Sequence, residues 1–194
     1  MVKSKQHHPE PPKVSSRQRI LVAACEIFSR KSYASVGLRE IAARAGVDVA
    51  YVHRSFGSKL GLFTEAFRSA ICADIAVLVE CDDLAETMAE ILLSRREAFP
   101  GELGTGLSIL LHSVGDPDAT EALRSVATTE FLEPLRKRID SGGRDSIVLS
   151  GALLAGLGIT FQVLDFDTLD VADREAFKRK VVSVLRGIAA GEVL

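Results

Sequence analysis

The chain contains no tryptophan and only two tyrosines, so whatever core it builds must be largely aliphatic. Apolar residues at 47% are enough to build one. Cysteine is sparse: Cys25, Cys72 and Cys81 are odd in number and show no CxxC or Cys/His spacing. That excludes a disulfide framework and a zinc site, and it points to a reducing cytoplasm. Alternating apolar–polar runs and hairpin turn signals are missing, so no sheet is expected. The chain also has no GxSxG, no glycine-rich phosphate loop, no HExxH and no Cys/His cluster. No enzyme, cofactor or metal is therefore expected.

The first fourteen residues, MVKSKQHHPEPPKV, have the charge of a leader but no apolar run after it. A disordered basic arm is expected there rather than a signal peptide, with His7 and His8 part of that tail. The longest uncharged stretch, Ser146 to Leu164, raises a membrane-spanning reading by length alone. It is flanked by Asp145 and Asp165, has only Arg144 as a basic neighbour and lacks an aromatic belt, so no membrane partner is expected.

The net charge of −2 hides a division. Residues 1–59 hold eleven Lys and Arg against four Asp and Glu, a net of +7, while residues 60–194 hold thirteen against twenty-two, a net of −9. A basic end on an acidic body suggests that one end meets a polyanion and the other does not.

What remains is helical periodicity throughout. Ser15 or Ser16 caps a first helix with Ile20, Leu21, Ala24, Ile27 and Phe28 on one face. A short helix follows, Leu38 to Ala45, with Gly37 as its cap and Glu40 placed to reach back to it. Gly46 supplies the left-handed stop, and Asp48 caps a helix of about two turns ending at Phe56. Ser58 starts a long helix carrying Leu62, Phe63, Phe67, Ile71 and Ile75. Further helices are expected at Asp83–Phe99, Gly106–Val114, Pro117–Ile139 (kinked or split at Pro134), Asp145–Asp165 and Val171–Ala190. The class is all-α, with about nine helices.

The two short helices form a specific set. Ala42 is small where they would touch, Gly46 sits at the turn, and Val47 and Val52 are apolar plugs. That is the pattern of a helix-turn-helix. Val49, Val52 and Phe56 fall at i, i+3 and i+7 and point inward, which leaves Ala50, Tyr51, His53 and Arg54 facing more nearly outward. The competing reading is an ordinary helical hairpin with a solvated face. Three features favour DNA: the basic local charge, a polar-aromatic outer face, and a second helix short enough for its N-terminal end to enter a major groove. A catalytic role for Tyr51, His53 and Arg54 would put acid–base groups on an exposed helix with nothing to exclude water.

The stretch RILVAACEIFSRKSYASVGLREIAARAGVDVAYVHRSFGSKLGLFTEAF, Arg19 to Phe67, closely resembles the N-terminal domain of the tetracycline-repressor (TetR) family. Ala24, Phe28, Tyr33, Ile41, Ala42, Gly46, Val47, Phe56 and Lys59 match. The chain departs at His53, where the family usually has tyrosine, at Ser32, where it has glycine, at Val36 and Gly37, where it often has Thr or Ser, and at Leu60, where an acidic residue is usual. The resemblance implies a dimeric regulator of double-stranded DNA with three parts: the arm 1–14, a DNA-binding domain 15–60, and a ligand-binding and dimerisation domain 61–194. On chemistry, Ala50 and Tyr51 reach base edges, and Arg54 reads guanine or clamps a phosphate. His53 donates to a phosphate or to a base acceptor. Lys59 anchors a phosphate at a helix N-terminus, and Arg39 and Arg44 contact the backbone or solvent.

In the C-terminal half, Gly151, Ala152, Ala155 and Gly156 would let another helix approach closely, and Phe177, Val181, Val184, Leu185 and Ile188 give the last helix an apolar face. Two such helices from each chain would make a four-helix homodimer interface, as the resemblance also implies. Alternatively one or both pack only within the chain. The resemblance further implies a small effector, apolar or amphipathic, that releases the protein from a palindromic operator. Candidate lining residues are Phe99, Leu107, Leu110, Leu111, His112, Thr128, Phe131 and Phe161, each of which also fits plain core. The rival function is a helical interaction module that has lost sequence-specific DNA binding.

Overall fold

The computed structural model describes residues 14–93, 105–136, 143–163 and 171–192. Its described residues are helical with no strand. Helix α1, Ser16–Phe28, starts where the Ser15 hydroxyl accepts the Gln18 N–H, and it buries Ile20, Leu21, Ala24 and Phe28, with Ile27 half-buried. A 3₁₀ turn, Tyr33–Ser35, leads to α2, Leu38–Ala45. The expected box at its start does not form. Glu40 instead gives its carboxylate to Lys31 at 2.6 Å, because a charged partner outcompetes the single N–H of a glycine cap that returns no side-chain bond.

Helix α3 spans Val49–Phe56 and α4 spans Lys59–Glu80. Helix α4 is the spine of the molecule: it packs on α1 and α3 near its start and on the later helices farther along. One contiguous aliphatic and phenylalanine core therefore runs from Ile20 to Leu185 through both halves. Helix α5 covers Leu84–Leu93 and α6 covers Thr105–Ser113. The rest of the expected Asp83–Phe99 helix lies outside the described residues.

Helix α7, Pro117–Val126, is capped by Asp116, which accepts the Ala119 N–H at 3.0 Å. It widens into a π-helical turn, Ala127–Leu132, before a last turn α8, Glu133–Arg136. The widening has a visible cause. A proline ring strikes the carbonyl four residues earlier, which for Pro134 is that of Glu130, inside the π turn. Helix α9, Gly143–Gly158, likewise ends in a π turn, Ile159–Val163. Helix α10, Val171–Ala190, packs on α5 and α9. Counting each interrupted helix once, the described residues make nine rods.

Candidate nucleic-acid interface

The turn between α2 and α3 is built from local bonds. Gly46 is left-handed at φ 64°, a conformation that a β-carbon disfavours. Its N–H donates to Ala43 and that of Val47 to Ala42, which satisfies two carbonyls at the end of α2. Asp48 then accepts the Ala50 N–H at 2.7 Å and starts α3. Val52 and Phe56 are buried and Val49 half-buried, which turns the opposite side of α3 outward. Arg17 of α1 lies over the Phe56 ring, 4.6 Å from its centroid, and pairs with Glu65 of α4. The inner side of α3 is thus clamped from two elements.

On the outer side Ala50, His53 and Arg54 are exposed and Tyr51 is half-buried. The Arg54 guanidinium lies 5.7 Å from the centre of the Tyr51 ring, at the outer range of cation–π contact. His53 Nδ1 stands 3.4 Å from the Gly57 carbonyl oxygen, which leaves Nε2 outward. Lys59, half-buried at the start of α4, has its ammonium 4.3 Å from the centre of the Tyr33 ring and 3.4 Å from the Ala34 carbonyl oxygen.

Charge pairing separates two kinds of cation at this end. Lys31 is held by Glu40, and Arg44 by Glu26 at 2.7 Å. Arg39, Arg54 and Lys59 have no carboxylate partner among the described residues. Helix α3 contains no acidic residue. Glu26 and Glu40 are thus taken up by Arg44 and Lys31 and Asp48 by the start of α3, while Arg54 and Lys59 keep charge free to meet a phosphate.

The candidate effector contacts that are described lie on α6, in the π turn after α7 and in the π turn after α9. Phe99 lies outside the described residues. Leu107, Leu110 and Leu111 are half-buried on α6, which packs on α1, α4 and α7. His112 is exposed, its Nδ1 2.8 Å from the Ser108 carbonyl oxygen, and the exposed Thr128 donates to the Arg124 carbonyl at 2.8 Å. Phe131 is half-buried against the main core. Phe161 faces Phe177 of α10, with ring centres 5.6 Å apart, and Phe177 packs against the same core.

Of the residues expected at a dimer contact, Val181, Leu185 and Ile188 are covered within the chain itself, while Val184 is exposed. On α9, Ala152 and Gly156 are exposed, Gly151 and Ala155 are half-buried, and the neighbouring Val148 and Leu149 are exposed as well. Among the described residues no group of three His, Cys, Asp or Glu side chains is placed to hold a metal ion. No described helix is long and apolar enough to cross a membrane.

Three residues that sequence reasoning passed over help to shape this end: Arg17, Gly61 and Ser113. Gly61 had a signal, a glycine inside a helix that serves neither as cap nor as stop. The other two are defined only by partners distant in sequence.

Residues 20–66 match the family of bacterial regulatory proteins called tetR, and residues 82–188 match a tetracycline-repressor-like C-terminal domain. The transcriptional activator FasR of Mycolicibacterium smegmatis is 40% identical over 52 residues, 27% of this chain and 24% of that protein, so the chain matches about a quarter of that relative's length. Among solved structures, the multidrug binding protein EbrR complexed with ethidium superposes with a TM-score of 0.60 at 23% identity, over 88% of this chain and 98% of that one. NalD of Pseudomonas aeruginosa, the secondary repressor of the MexAB-OprM multidrug efflux pump, superposes with a TM-score of 0.61 at 19% identity, over 89% and 95%. At those identities the likeness is one of fold.

Proposed function

The chain belongs to the tetR family of bacterial regulatory proteins, and on that premise we propose that it is a dimeric transcriptional regulator that reads double-stranded DNA with α3. The observation that carries this reading is a short, acid-free helix whose outer face bears Ala50, Tyr51, His53 and Arg54, with Arg54 and Lys59 lacking a carboxylate partner among the described residues. In this reading Ala50 and Tyr51 meet base edges, Arg54 meets guanine or a phosphate, and Arg39 and Lys59 hold the backbone. His53 offers Nε2 to the DNA.

Two half-sites are read by a homodimer, with recognition helices about 34–36 Å apart. The contact proposed is the exposed strip Val148, Leu149, Ala152, Gly156 and Val184. Two features of α9 support it. A β-carbon at Gly151 or Gly156 would meet nothing within 4 Å among the described residues, yet each glycine costs its helix about 1 kcal/mol relative to alanine. A second copy approaching closely gives that cost a purpose.

We assign repression as the mode, with release by a small apolar or amphipathic effector held among the C-terminal helices. Binding of ethidium by EbrR, and the repressor role of NalD, lend support by likeness of fold. The similarity to the activator FasR concerns 52 residues, too little to carry a mode of regulation. Selection of bound fragments from random duplex DNA tests the reading. A palindromic consensus is expected. Binding without sequence preference at moderate salt would favour a helical interaction module instead.

A further inference from the structure

A hydrogen bond to a buried serine joins the C-terminal half to the DNA-reading end. Ser113, the last residue of α6, is 1% exposed, and its Oγ accepts the Tyr33 N–H at 3.2 Å. Tyr33 opens the 3₁₀ turn that joins α1 to α2. Its ring lies edge-on to Phe63, 5.0 Å between centres, and stacks on Phe28 at 6.3 Å. Both phenylalanines are fully buried, so the ring is seated in the core. The same turn carries the Lys59 ammonium, through the Tyr33 ring and the Ala34 carbonyl.

The corner that presents Ser113 is stiff. The Thr120 hydroxyl donates to the Val114 carbonyl at 2.7 Å, and the Asp116 N–H donates to the Ser113 carbonyl at 3.1 Å. Burial, and then the nearby carboxylates of Asp116 and Asp118, raise the pKa of the Tyr33 hydroxyl. The ring is thereby placed within the field of the α6–α7 corner. Hydrogen bond and field converge on one residue, and that residue holds Lys59.

We propose that Ser113 is a positioning residue for DNA backbone binding: by fixing Tyr33 it fixes the ring and the carbonyl that hold Lys59. The proposal rests on the reading of Lys59 as a phosphate anchor. Its physical basis is that a part-buried N–H deprived of its acceptor must find another. The 3₁₀ turn then shifts, the ring leaves the ammonium, and Lys59 must be ordered anew each time DNA binds. Any movement of α6 reaches Lys59 by the same route.

Two measurements on the full chain test it. In the first, lysines are reductively methylated with ¹³C. The dimethyl-Lys59 signal lies upfield in the parent, under the Tyr33 ring, and moves to the position of a free lysine in Ser113→Ala. Ser113→Thr, which keeps a hydroxyl, retains the shift. Ser113→Cys, close in shape but a weaker acceptor, serves if the alanine variant is unstable. An unchanged Lys59 signal in the variants that lose the acceptor overturns the proposal.

The second measurement is binding to a mixed-sequence 30-base-pair duplex across a potassium chloride series. Ser113→Ala is expected to flatten the salt slope toward that of Lys59→Ala and to add nothing in the Lys59→Ala background. Equal reductions in both backgrounds overturn the proposal while leaving Lys59 as an anchor. If Lys59→Ala itself changes nothing, the anchor reading fails and the proposal fails with it.

Discussion

Gly61 lies against Phe56 so closely that a β-carbon at residue 61 would stand 2.4 Å from the Phe56 carbonyl oxygen. That oxygen belongs to the backbone at the end of α3 and accepts the Ser58 N–H at 2.9 Å, so it has little room to yield. Gly61→Ala is therefore expected to push α3 away from α4. The predicted cost is about 1–3 kcal/mol of stability, the usual range for overpacking, read from urea unfolding. DNA affinity should fall further than stability explains, because the displaced element is the one proposed to read DNA.

Loss of Lys59 and loss of Tyr51 should differ in kind. Lys59→Ala is expected to weaken binding to every duplex alike and to flatten the plot of log affinity against log salt by about 0.9 for each phosphate it leaves unneutralised. Tyr51→Ala is expected to keep the slope, to cost about 1–3 kcal/mol on the selected operator, and to relax preference at one base position. Anisotropy titrations on matched and single-mismatch duplexes separate the two. If both variants change only the slope, α3 does not read bases through Tyr51.

Much of this end is legible before any coordinates, because its determinants are local. Ser15, Asp48 and Ser58 each accept an N–H two or three residues onward, and Gly46 needs only its own φ. Legibility ends where a side chain chooses among distant partners. Glu40 sits correctly for a capping box but is taken by Lys31. Pro134 announces a disturbance, yet its form, a π turn, depends on how the chain packs beside it. Val181, Leu185 and Ile188 trace an apolar face in the sequence, and nothing local says that the chain's own helices bury it. Ser113 reads as an ordinary helix end, and its partner Tyr33 is eighty residues away.

Cys25 supplies a pH prediction. Its thiol donates to the Ala66 carbonyl at 3.3 Å, and burial pushes its pKa from 9.0 to about 11. The folded state therefore holds this proton more tightly than the unfolded state. Stability from this group is complete below pH 9 and is lost as the pH rises toward 11. The loss should approach roughly 2–3 kcal/mol. Cys72 and Tyr33 are also pushed upward, so the measure is the difference between the parent and Cys25→Ala in urea unfolding from pH 8 to 10.5. Parallel curves would mean that the buried thiol does not set the alkaline limit.

Lys178 joins α10 to α5. Its ammonium meets Glu86 at 2.8 Å and also Glu90, while its own side chain is only 16% exposed. Hydrogen bonds from the ammonium to the two carboxylates hold its pKa above the usual lysine range. Arg186 with Asp83 makes a second ionic tie between α10 and the start of α5. Lys178→Met leaves two carboxylates one turn apart without their shared cation. Both are well exposed, so the expected cost is about 1 kcal/mol, and it should shrink as salt screens their repulsion. Thermal unfolding at 50 mM and 500 mM salt checks this, and a deficit that salt leaves unchanged would mean packing rather than charge.

The proposed dimer contact rests on a contrast between neighbouring residues of α10. Val184 is 43% exposed, whereas Val181, one turn earlier, is 5% exposed. A glutamate at Val184 is solvated in the isolated chain, so Val184→Glu should change protomer stability by no more than about 0.5 kcal/mol. In the proposed dimer the same charge is buried against a second copy without a partner, and a shift to monomer in sedimentation velocity is expected. Affinity for a two-half-site operator should then collapse, while weak, salt-dependent binding to mixed-sequence duplex persists, since each protomer keeps Arg54 and Lys59. Val181→Glu should instead unfold the protomer, because its charge is buried within the chain itself. If Val184→Glu remains dimeric, the second copy docks elsewhere, and the exposed glycine of α9 at residue 156 must be explained by something other than close helix approach.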